Sequence, residues 1–485
     1  MDAAAHTPPL ALVPGDLAPA VPDTSRDTAW DTAADQAAAP SDIAARLERL
    51  PMTGYQRRVF AIIASAWLVD QVDVALLTFL LASITVEFGL SPTQAGQLAA
   101  MTFAGQLVGN LVAGTASDRF GRRMVFQVTM VVWGMASLAA AAAWSVGALM
   151  ACRFMIGVGV GGEAPVAQAM VSEIVPANVR GKYIAFMEGF WAIGYVLSGA
   201  ISYFVLPYFG WRWAFVVVGL LSLVVLLVRR GMPESPRWLA DNGRHAEAEA
   251  TMAHMEAEVM KCTGRPLPPV APLAVRLAAP VRHQNPVATL FSPEYRMRTV
   301  MAWGMWFFAL IGFFGLNSWI AVLLKSHGFS IIGSVGFVTL ITMGGIPGFF
   351  TAALLLERIG RKPTTAAFLV LSAAAAYVYG NASGQTMLFV SGFVMQFFMF
   401  GMWSCLYAYT PELYPTRARA TGAGFASAFG RIGAILGPML VPVLVASGGP
   451  AAAFQVGAGG FLIAAVLVVV LGVETRGKVL EAVSG

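Results

Sequence analysis

Residues 114–123 read GTASDRFGRR, and residues 353–362 read ALLLERIGRK. In both stretches an acidic residue, a basic residue, a glycine and a basic pair follow at the same spacing, and each stretch lies between two long apolar runs. Two further stretches, 172–182 (SEIVPANVRGK) and 411–421 (PELYPTRARAT), occupy corresponding positions, each after the fourth apolar run of its half. Such internal repetition indicates a membrane protein built from two related halves.

The composition is that of a chain that crosses a membrane many times. Of the 485 residues, 57% are hydrophobic and 12% are charged, with a mean hydropathy of +0.69; soluble domains average about 25% charged residues. The net charge is +5, but the basic residues lie in short loops between apolar runs, so we expect no nucleic-acid partner. Cys152, Cys262 and Cys405 form no CxxC pair, so we expect no metal site, disulfide framework or cofactor.

Twelve apolar runs of roughly 19 to 28 residues are each long enough to span a bilayer of about 30 Å as a helix. They lie near 59–86, 95–116, 124–145, 148–173, 182–207, 212–230, 299–324, 332–356, 364–381, 385–410, 420–447 and 451–472. The predicted fold class is therefore an all-α membrane protein with twelve transmembrane helices in two six-helix halves.

The predicted organisation has five parts. Residues 1–50 lack a periodic apolar pattern and the basic and apolar regions of a signal peptide, which indicates a disordered cytoplasmic tail. The two helical bundles occupy 51–230 and 299–472. A polar cytoplasmic linker, 231–298, joins them, and 473–485 forms a second cytoplasmic tail.

The distribution of basic residues predicts the topology. Of the 31 Lys and Arg residues, Arg153 and Arg431 fall inside predicted helices, and Arg212 and Lys325 fall in loops on one side. The other 27 of the 31 lie on the opposite side. By the positive-inside rule that side is the cytoplasm, which places both termini there.

The repeated loop resembles the signature of the major facilitator superfamily, GxxxDRxGRR. The second copy departs from it, because Ala353 and Glu357 replace the usual Gly and Asp. PESPRWL (233–239) and VETRGKVLE (473–481) resemble the corresponding segments of the sugar-porter-like branch.

Four longer segments narrow the resemblance. They are DQVDVALLTF (70–79), RFMIGVGVGGEAPVAQAMVSE (153–173), GFWAIGYVLSG (189–199) and YTPELYPTRARATGAGFASAFGRIGAILGP (409–438). Together they are similar to the metabolite and aromatic-acid:proton symporters, most of all to bacterial nicotinate transporters, a group related to the synaptic-vesicle glycoproteins of animals. The resemblance implies a monomeric protein of the bacterial inner membrane that takes up a small aromatic monocarboxylate, best represented by nicotinate, together with protons. We find no nucleophile–base pair or phosphate loop, so we expect no enzyme.

The resemblance also assigns a gating role to the repeated loop. Asp118, at the cytoplasmic end of predicted helix 2, would accept hydrogen bonds from a neighbouring helix N-terminus and pair with an arginine. Such a latch would break when the cytoplasmic side opens; a loop that merely sets topology is the alternative. The predicted gating residues are Gly114, Asp118, Arg119, Gly121, Arg122, Arg123, Arg180, Glu357, Arg358 and Arg361.

The stretch GVGVGGE (157–163) has the spacing of a dinucleotide-binding fingerprint. It lies within a predicted membrane helix, however, and follows no soluble strand. Small residues in that setting allow helices to pack closely, so we expect packing rather than nucleotide binding.

Aromatic and polar side chains inside predicted helices are candidates for the substrate site. Helix 5 carries Glu188, Trp191 and Tyr195 on one face, and helix 10 carries Trp403 and Tyr407 one turn apart. A tryptophan in a membrane helix can instead face lipid or the interface. In the family the equivalents of Trp191 and Trp403 face the binding site, so we expect these indoles to sandwich a flat ring. The predicted substrate-binding residues are Arg431, Trp191, Trp403, Tyr407, Tyr195, Asn317 and Gln396.

Arg431 lies in the middle of predicted helix 11, and no other basic residue lies mid-helix in the second half. A buried guanidinium is costly and nearly always has a partner. Its planar fork suits a carboxylate. Two interpretations stay open, a permanent internal salt bridge and an anchor for the substrate carboxylate, and we favour the anchor.

Two acidic residues in SAWLVDQVDVALLTFLL (65–81), Asp70 and Asp73, lie on one face of predicted helix 1. Two carboxylates so close in a medium of low dielectric cannot both ionise easily, and a proton carrier needs that property. A static network with Arg153 or another helix is the alternative. The predicted proton-coupling residues are Asp70, Asp73, Glu163 and Glu188.

Rival functions stay open at this point. A sugar:proton symporter shares PESPRWL, but a neutral sugar gives Arg431 no anion to bind. A drug antiporter would carry a Gly-Pro pair at the end of helix 5, which 182–207 lacks. Transport of benzoate-like or muconate-like acids, and a non-transporting binding or regulatory protein on the same scaffold, are the remaining alternatives.

Overall fold

The computed structural model of the protein describes residues 43–229, 232–270, 286–326, 328–415 and 418–476. Regular structure in these ranges is entirely helical, and ten helical stretches are long and apolar enough to cross a membrane. One of them, Thr421–Leu471, contains two helices, because the backbone at Gly449 is not helical. The 29-residue helix Pro92–Phe120 packs among them. The bundle that the structure describes therefore has the twelve helices that the sequence predicts.

The bundle helices are numbered in chain order, and a two-residue break divides α8 into two segments. They are α1 (Gly54–Phe88), α2 (Pro92–Phe120), α3 (Arg122–Ala141), α4 (Val146–Ile174), α5 (Ala177–Phe209), α6 (Trp211–Arg229), α7 (Arg296–Ser326), α8 (Ile331–Thr342 and Gly345–Arg358), α9 (Arg361–Gly380), α10 (Gln385–Glu412), α11 (419–448) and α12 (450–471). Shorter helices outside the bundle are Ile43–Glu48, Pro236–Asp241, His245–Thr263 and Pro286–Leu290.

The turn between α1 and α2 shows how local sequence ends one membrane helix and starts the next. α1 ends at Gly89, whose φ of 59° lies in the left-handed region that glycine adopts readily. Ser91 caps α2: its hydroxyl accepts the Gln94 N–H at 3.3 Å, and the Gln94 side chain accepts the Ser91 N–H at 3.0 Å. Pro92 occupies the first turn, where its missing N–H costs nothing.

The glycine-rich stretch 157–163 packs α4 directly against α2. A Cβ atom on Gly157 would collide with the Thr102 carbonyl oxygen, and one on Gly161 would collide with the backbone of Gln106. Only residues without a side chain permit this approach. The stretch therefore serves helix packing, and it holds the Gln106 segment of α2 against the middle of α4.

Three of the shorter helices form a layer across one end of α1–α6. They are Ile43–Glu48, Pro236–Asp241 and His245–Thr263, and this end of the bundle is called the linker end below. Ile43–Glu48 buries Ile43 and Leu47 in a cluster that also includes Met252 and Met255 of His245–Thr263. The expected disordered tail thus includes an ordered helix at its end, because these apolar side chains dock on the linker. The rest of that tail, 1–42, and residues 477–485 lie outside the described part of the chain.

The two halves of the bundle meet on both sides of its centre. Near the turn between α1 and α2, a Cβ on Gly96 would lie 2.9 Å from the Pro438 carbonyl oxygen of α11. Towards the linker end, a Cβ on Gly189 would lie 3.2 Å from the Phe350 ring, and the Phe186 and Phe350 ring centroids are 6.5 Å apart. Within the described residues, a small cavity lies between the halves, flanked by these contacts.

Candidate substrate-binding site

A cavity of about 20 Å³, room for about one water molecule, lies at the centre of the bundle. Helices of both halves contribute to its wall. The lining residues are Trp67, Gln71, Val74, Gln106, Val160, Gly161, Ala164, Trp191, Phe314, Tyr407 and Arg431. Three of them, Trp191, Tyr407 and Arg431, belong to the site predicted from the sequence.

Arg431 bridges the two halves from α11. Its Nη1 donates a hydrogen bond to Gln106 Oε1 of α2 at 2.6 Å. Its Nε is buried with no hydrogen-bond partner, and Arg431 forms no ion pair with any residue that the structure describes. Tyr407 and Glu188 interact with it electrostatically without forming a hydrogen bond to it. The guanidinium therefore faces the cavity with part of its donor fork unused, and the internal salt bridge considered as an alternative is not formed in this structure.

The two predicted indoles touch each other in this conformation. The ring centroids of Trp191 and Trp403 are 3.9 Å apart at an interplanar angle of 61°. Trp191 lines the cavity, whereas Trp403 is fully buried behind it, with Tyr407 stacked on Trp403 at 5.8 Å. A flat ring has no room between the indoles here, so a sandwich would require these helices to separate.

The remaining predicted substrate residues lie behind the cavity wall. Tyr195 is buried and packs edge-on against Phe400, with 5.3 Å between ring centroids. Gln396 Nε2 donates to Asn317 Oδ1 at 2.9 Å, and Asn317 Nδ2 donates to the Phe313 carbonyl at 3.0 Å. Asn317 and Gln396 thus join α7 to α10 inside the second half and do not line the cavity.

The sequence reasoning missed several cavity residues, of which Trp67, Gln71 and Gln106 carry hydrogen-bonding groups. Trp67, Gln71 and Val74 follow at the i, i+4 and i+7 positions of α1, which is one helical face. This face belongs to the stretch 65–81, which also contains Asp70 and Asp73. The sequence pattern that could have indicated Gln71 and Gln106 as cavity residues is a neutral polar side chain inside a predicted membrane helix.

The predicted proton-coupling acids occupy different settings in the first half. Asp73 Oδ1 accepts a hydrogen bond from Arg153 Nη1 at 2.9 Å, and both side chains are buried, with 0% and 1% exposed. Asp70 is also fully buried, one turn away on α1. Asp73 therefore takes part in the ion pair that was the alternative to proton carriage, and neither Asp73 nor Arg153 lines the cavity.

The other two acids accept hydrogen bonds from neutral groups. Glu163 accepts the Trp133 Nε1–H at 3.2 Å. Glu188 Oε1 accepts from Gln168 Nε2 at 3.0 Å, while its Oε2 is buried with no hydrogen-bond partner. Among the acidic residues that the structure describes, Glu188 is therefore the one that interacts electrostatically with Arg431, and it forms no ion pair with a described cation.

At the linker end, the first copy of the repeated loop builds a network. Arg122 forms an ion pair with Glu173 at the end of α4, and Glu173 also accepts a hydrogen bond from the Ser235 hydroxyl. Glu234 Oε1 accepts the backbone N–H groups of Arg122 and Arg123, each at 3.1 Å. A carboxylate in this position caps the N-terminus of α3 and complements the helix dipole.

The second copy builds the same arrangement. Arg361 Nε lies 3.0 Å from Glu412 Oε2, and the Thr475 hydroxyl donates to that oxygen at 2.5 Å. Glu474 accepts the N–H groups of Arg361 at 2.9 Å and Lys362 at 3.1 Å, and so caps α9. Partial burial opposes ionisation of Glu474, but these backbone donors lower the pKa of its carboxyl.

A glycine makes each cap possible. Gly121 and Gly360 precede α3 and α9 with φ values of 97° and 121°, which side-chain-bearing residues rarely adopt. A Cβ on Gly121 would lie 2.6 Å from a Glu234 oxygen, and one on Gly360 would lie 2.7 Å from a Glu474 oxygen. The glycine of the repeated loop is thus required by the carboxylate that caps the following helix.

The other predicted gating residues have separate positions. Arg180 Nη2 donates to Glu48 at 3.0 Å, which ties α5 to the helix Ile43–Glu48. Glu357 pairs with Arg361 at 3.1 Å, and the Arg119 and Arg358 side chains are exposed. The surroundings of Gly114 and the side chain of Asp118 lie outside the described part of the structure, so the predicted Asp118 latch stays a prediction.

Comparison with known proteins gives the family. The family model described as "Sugar (and other) transporter" matches residues 34–484. The niacin transporter NiaP of Acinetobacter baylyi is 35% identical over 91% of this chain and 99% of its own length. The putative niacin/nicotinamide transporter NiaP of Bacillus subtilis is 34% identical over 88% of this chain and 98% of its own. The synaptic vesicle 2-related protein of Xenopus laevis is 26% identical over 90% of this chain and 81% of its own.

A solved structure has the same fold. The partially occluded inward-open form of the xylose transporter XylE from Escherichia coli superimposes with a TM-score of 0.70. The alignment covers 88% of this chain and 100% of that chain at 18% identity, which is evidence for the fold alone. The family match, the relatives and the twelve-helix bundle agree: the chain is a multi-pass membrane transporter of small molecules and belongs to the sugar (and other) transporter family of the major facilitator superfamily.

Proposed function

We propose that this transporter takes up nicotinate, or a closely similar aromatic monocarboxylate, together with protons by alternating access. The observation that carries the proposal is Arg431, a guanidinium that faces the central cavity with no ion pair among the described residues. A buried cation without a counter-ion suits an anionic ligand. The names of the two bacterial relatives, a niacin transporter and a putative niacin/nicotinamide transporter, support the choice of nicotinate.

The substrate carboxylate takes the place of the Gln106 amide on Arg431, and its ring lies against Trp191 and Tyr407. The cavity of about 20 Å³ is too small for an aromatic ring, so binding belongs to a conformation in which the halves have separated. The halves then rock around the site to expose it to the other side. The Trp191–Trp403 contact re-forms when the substrate has left.

Proton coupling rests on the buried acids of the first half. A proton on Asp73 weakens its pair with Arg153 and loosens α1 from α4, and Asp70, one turn away on α1, is the second candidate for carrying the proton. Glu188 lies nearer the anion site, and its ionised form would repel an arriving carboxylate, so a proton there favours binding. In proteoliposomes, Asp73→Asn is expected to abolish uptake driven by a pH gradient while leaving counterflow. Wild-type gradient-driven uptake by that variant would remove Asp73 from the coupling.

Uptake by the purified protein tests the substrate. Reconstituted vesicles with an imposed pH gradient are expected to accumulate labelled nicotinate, and unlabelled nicotinate is expected to compete far better than glucose or xylose. Competition by the sugars instead would favour a sugar:proton symporter, and strong competition by muconate would favour a diacid carrier. Binding without counterflow would indicate a regulatory protein on this scaffold.

We further propose a monomer in the bacterial inner membrane with the linker end in the cytoplasm. Cys262 is exposed on the helix His245–Thr263 at that end. A membrane-impermeant maleimide is expected to label it in inside-out vesicles and to spare it in intact spheroplasts. The reverse pattern would invert the proposed topology.

A further inference from the structure

Two tryptophans that line the cavity, and a third behind them, have indole N–H groups that find no acceptor within the described protein. Trp67 and Trp191 line it, each with 5% of its surface exposed and with a buried Nε1 that has no hydrogen-bond partner. The Nε1 of Trp403, which lies behind Trp191, is also buried and has no hydrogen-bond partner. Buried donors of this kind are rare in folded proteins, so each requires an explanation.

Buried tryptophans elsewhere in the bundle donate their N–H within the protein. Trp133 donates to Glu163 at 3.2 Å, Trp211 to Glu87 at 2.6 Å, Trp306 to Thr410 at 2.8 Å and Trp319 to the Pro438 carbonyl at 2.9 Å. Outside the cavity the described exception is Trp303, which stacks on Phe429 at the edge of the second half. Of the four buried indoles without an acceptor in the described part of the chain, Trp67 and Trp191 therefore line the cavity and Trp403 lies directly behind it.

The side-chain acceptors in the cavity wall are the oxygens of Gln71, Gln106 and Tyr407. None of its lining residues is a carboxylate, and the Gln106 side-chain oxygen already accepts from Arg431. Arg431, Trp67 and Trp191 supply donors only. No hydrogen bond joins the Gln71 or Tyr407 oxygen to the indole of Trp67 or Trp191 in the described structure. A ligand that satisfies both indoles as well as Arg431 therefore brings acceptor atoms at more than one position.

Trp67 and Trp191 differ in what surrounds them. Trp191 contacts the rings of Tyr195, Phe313, Phe400 and Trp403, which suits a flat wall for an aromatic ligand. Trp67, on α1, makes no ring–ring contact with any residue that the structure describes. Trp67 therefore lines the cavity outside the aromatic cluster, and its Nε1–H has no acceptor among the described residues.

We propose that the transported ring carries a hydrogen-bond acceptor of its own, as a pyridine carboxylate does, and that Trp67 donates its Nε1–H to that ring nitrogen. Arg431 and Trp67 line the same small cavity from opposite halves, so one small ligand reaches both. This inference rests on the proposed function and narrows it to nitrogen-containing aromatic acids. Benzoate, which has the carboxylate but no ring acceptor, leaves Trp67 unsatisfied.

The affinities of nicotinate and benzoate for the full-length protein test the inference without any variant. We expect the wild type to bind nicotinate about tenfold more tightly than benzoate, since a buried donor left unpaired disfavours the analogue that lacks the acceptor. Equal affinities would overturn the inference while leaving the Arg431 anchor intact. Failure to bind either acid would instead overturn the proposed function.

Trp67→Phe removes the N–H and keeps an aromatic ring. Its nicotinate affinity is expected to fall about tenfold while its benzoate affinity stays within about twofold, so the preference disappears. Trp191→Phe is the matched control and is expected to affect both acids alike, because its contribution is the ring surface. Equal losses for both acids in Trp67→Phe, or no loss for either, would show that Trp67 does not recognise the ring nitrogen.

Discussion

Two arginines lie in the middle of membrane helices, one in each half, and the protein surrounds them differently. Arg153 of α4 binds Asp73 at 2.9 Å, and the two side chains are almost completely shielded. Among the described residues, Arg431 of α11 forms a hydrogen bond only with the neutral Gln106 amide, at 2.6 Å, and retains a buried Nε without an acceptor. The paired cation holds α1 against α4, whereas the other keeps its positive charge available at the cavity between the halves.

The largest expected effect is on stability, at Arg153. Arg153→Ala leaves Asp73 buried without its counter-ion and is expected to cost about 3–5 kcal/mol of unfolding free energy. Thermal unfolding of the purified protein in detergent measures it. Replacing both partners, with Arg153→Met and Asp73→Leu, is expected to recover most of the loss because no charge is stranded. If the Arg153→Ala protein were as stable as the wild type, the ion pair of Arg153 would not stabilise the fold, and the two arginines would not differ in this respect.

The next effect is on binding, at Arg431. Arg431→Ala is expected to weaken nicotinate binding by about 2–3 kcal/mol, roughly 30- to 150-fold, through loss of a charge-assisted contact. Its thermal stability should change little, because no carboxylate is paired with Arg431. Nicotinamide is the matched ligand, since it lacks the negative charge, and its affinity should fall much less. An unchanged nicotinate affinity would remove Arg431 as the anchor.

A smaller effect is expected at Gln106, which holds Arg431 when no anion is bound. Gln106→Ala removes a competitor for the guanidinium, so nicotinate should bind more tightly by about 0.5–1 kcal/mol, the net value of one hydrogen bond. Equilibrium binding of labelled nicotinate measures the change. Weaker binding in this variant would mean that Gln106 contacts the substrate itself.

The smallest effect is expected for a charge pair near the surface. Glu256 accepts hydrogen bonds from Arg46 at 2.7 Å and Arg49 at 2.6 Å, and the contact with Arg46 lowers the pKa of the Glu256 carboxyl below its usual 4.5. Its contribution is therefore present above about pH 4.5 and is lost as the pH falls through the lowered pKa. Glu256→Gln should cost at most about 1 kcal/mol.

Hydrogen exchange of the helix Ile43–Glu48 measures that contribution. Exchange should speed up in Glu256→Gln at neutral pH and, in the wild type, only when the solution is made acidic. Faster exchange throughout the bundle would mean that this pair is worth as much as Arg153 and Asp73.

Much of the fold could be predicted because membrane helices obey strong local rules. Each predicted span overlaps an observed helix, since the backbone of a spanning segment must satisfy its own hydrogen bonds. The break in α8 between Thr342 and Gly345 was not foreseen, because the apolar run continues through it. The helix Ile43–Glu48 was missed for another reason: six residues have little helical tendency alone and depend on docking to the linker.

The site could be predicted where charge or the family resemblance made residues conspicuous, as it did for Arg431, Trp191 and Tyr407. Arg431 stood out as a cation inside an apolar helix, and the structure places it at the cavity. Gln106 and Trp67 did not stand out, because a neutral side chain in a helix looks the same whether it faces lipid, a neighbour or a cavity. The direct contact between Trp191 and Trp403 depends on how far apart the halves are, and no local pattern encodes that distance.

The hydrogen bond between Gln106 and Arg431 also bears on the part of the cycle in which the transporter carries nothing. A carrier that performs net uptake must return empty, and a bare guanidinium would make that return costly in a medium that cannot solvate it. Gln106 reaches Arg431 from the opposite half and solvates it in the closed, unloaded form. If nicotinate binds Arg431 as proposed, the amide takes the place of the substrate carboxylate on the empty return. Loss of Gln106 would then slow net accumulation, which needs that return, more than one-for-one exchange, which does not.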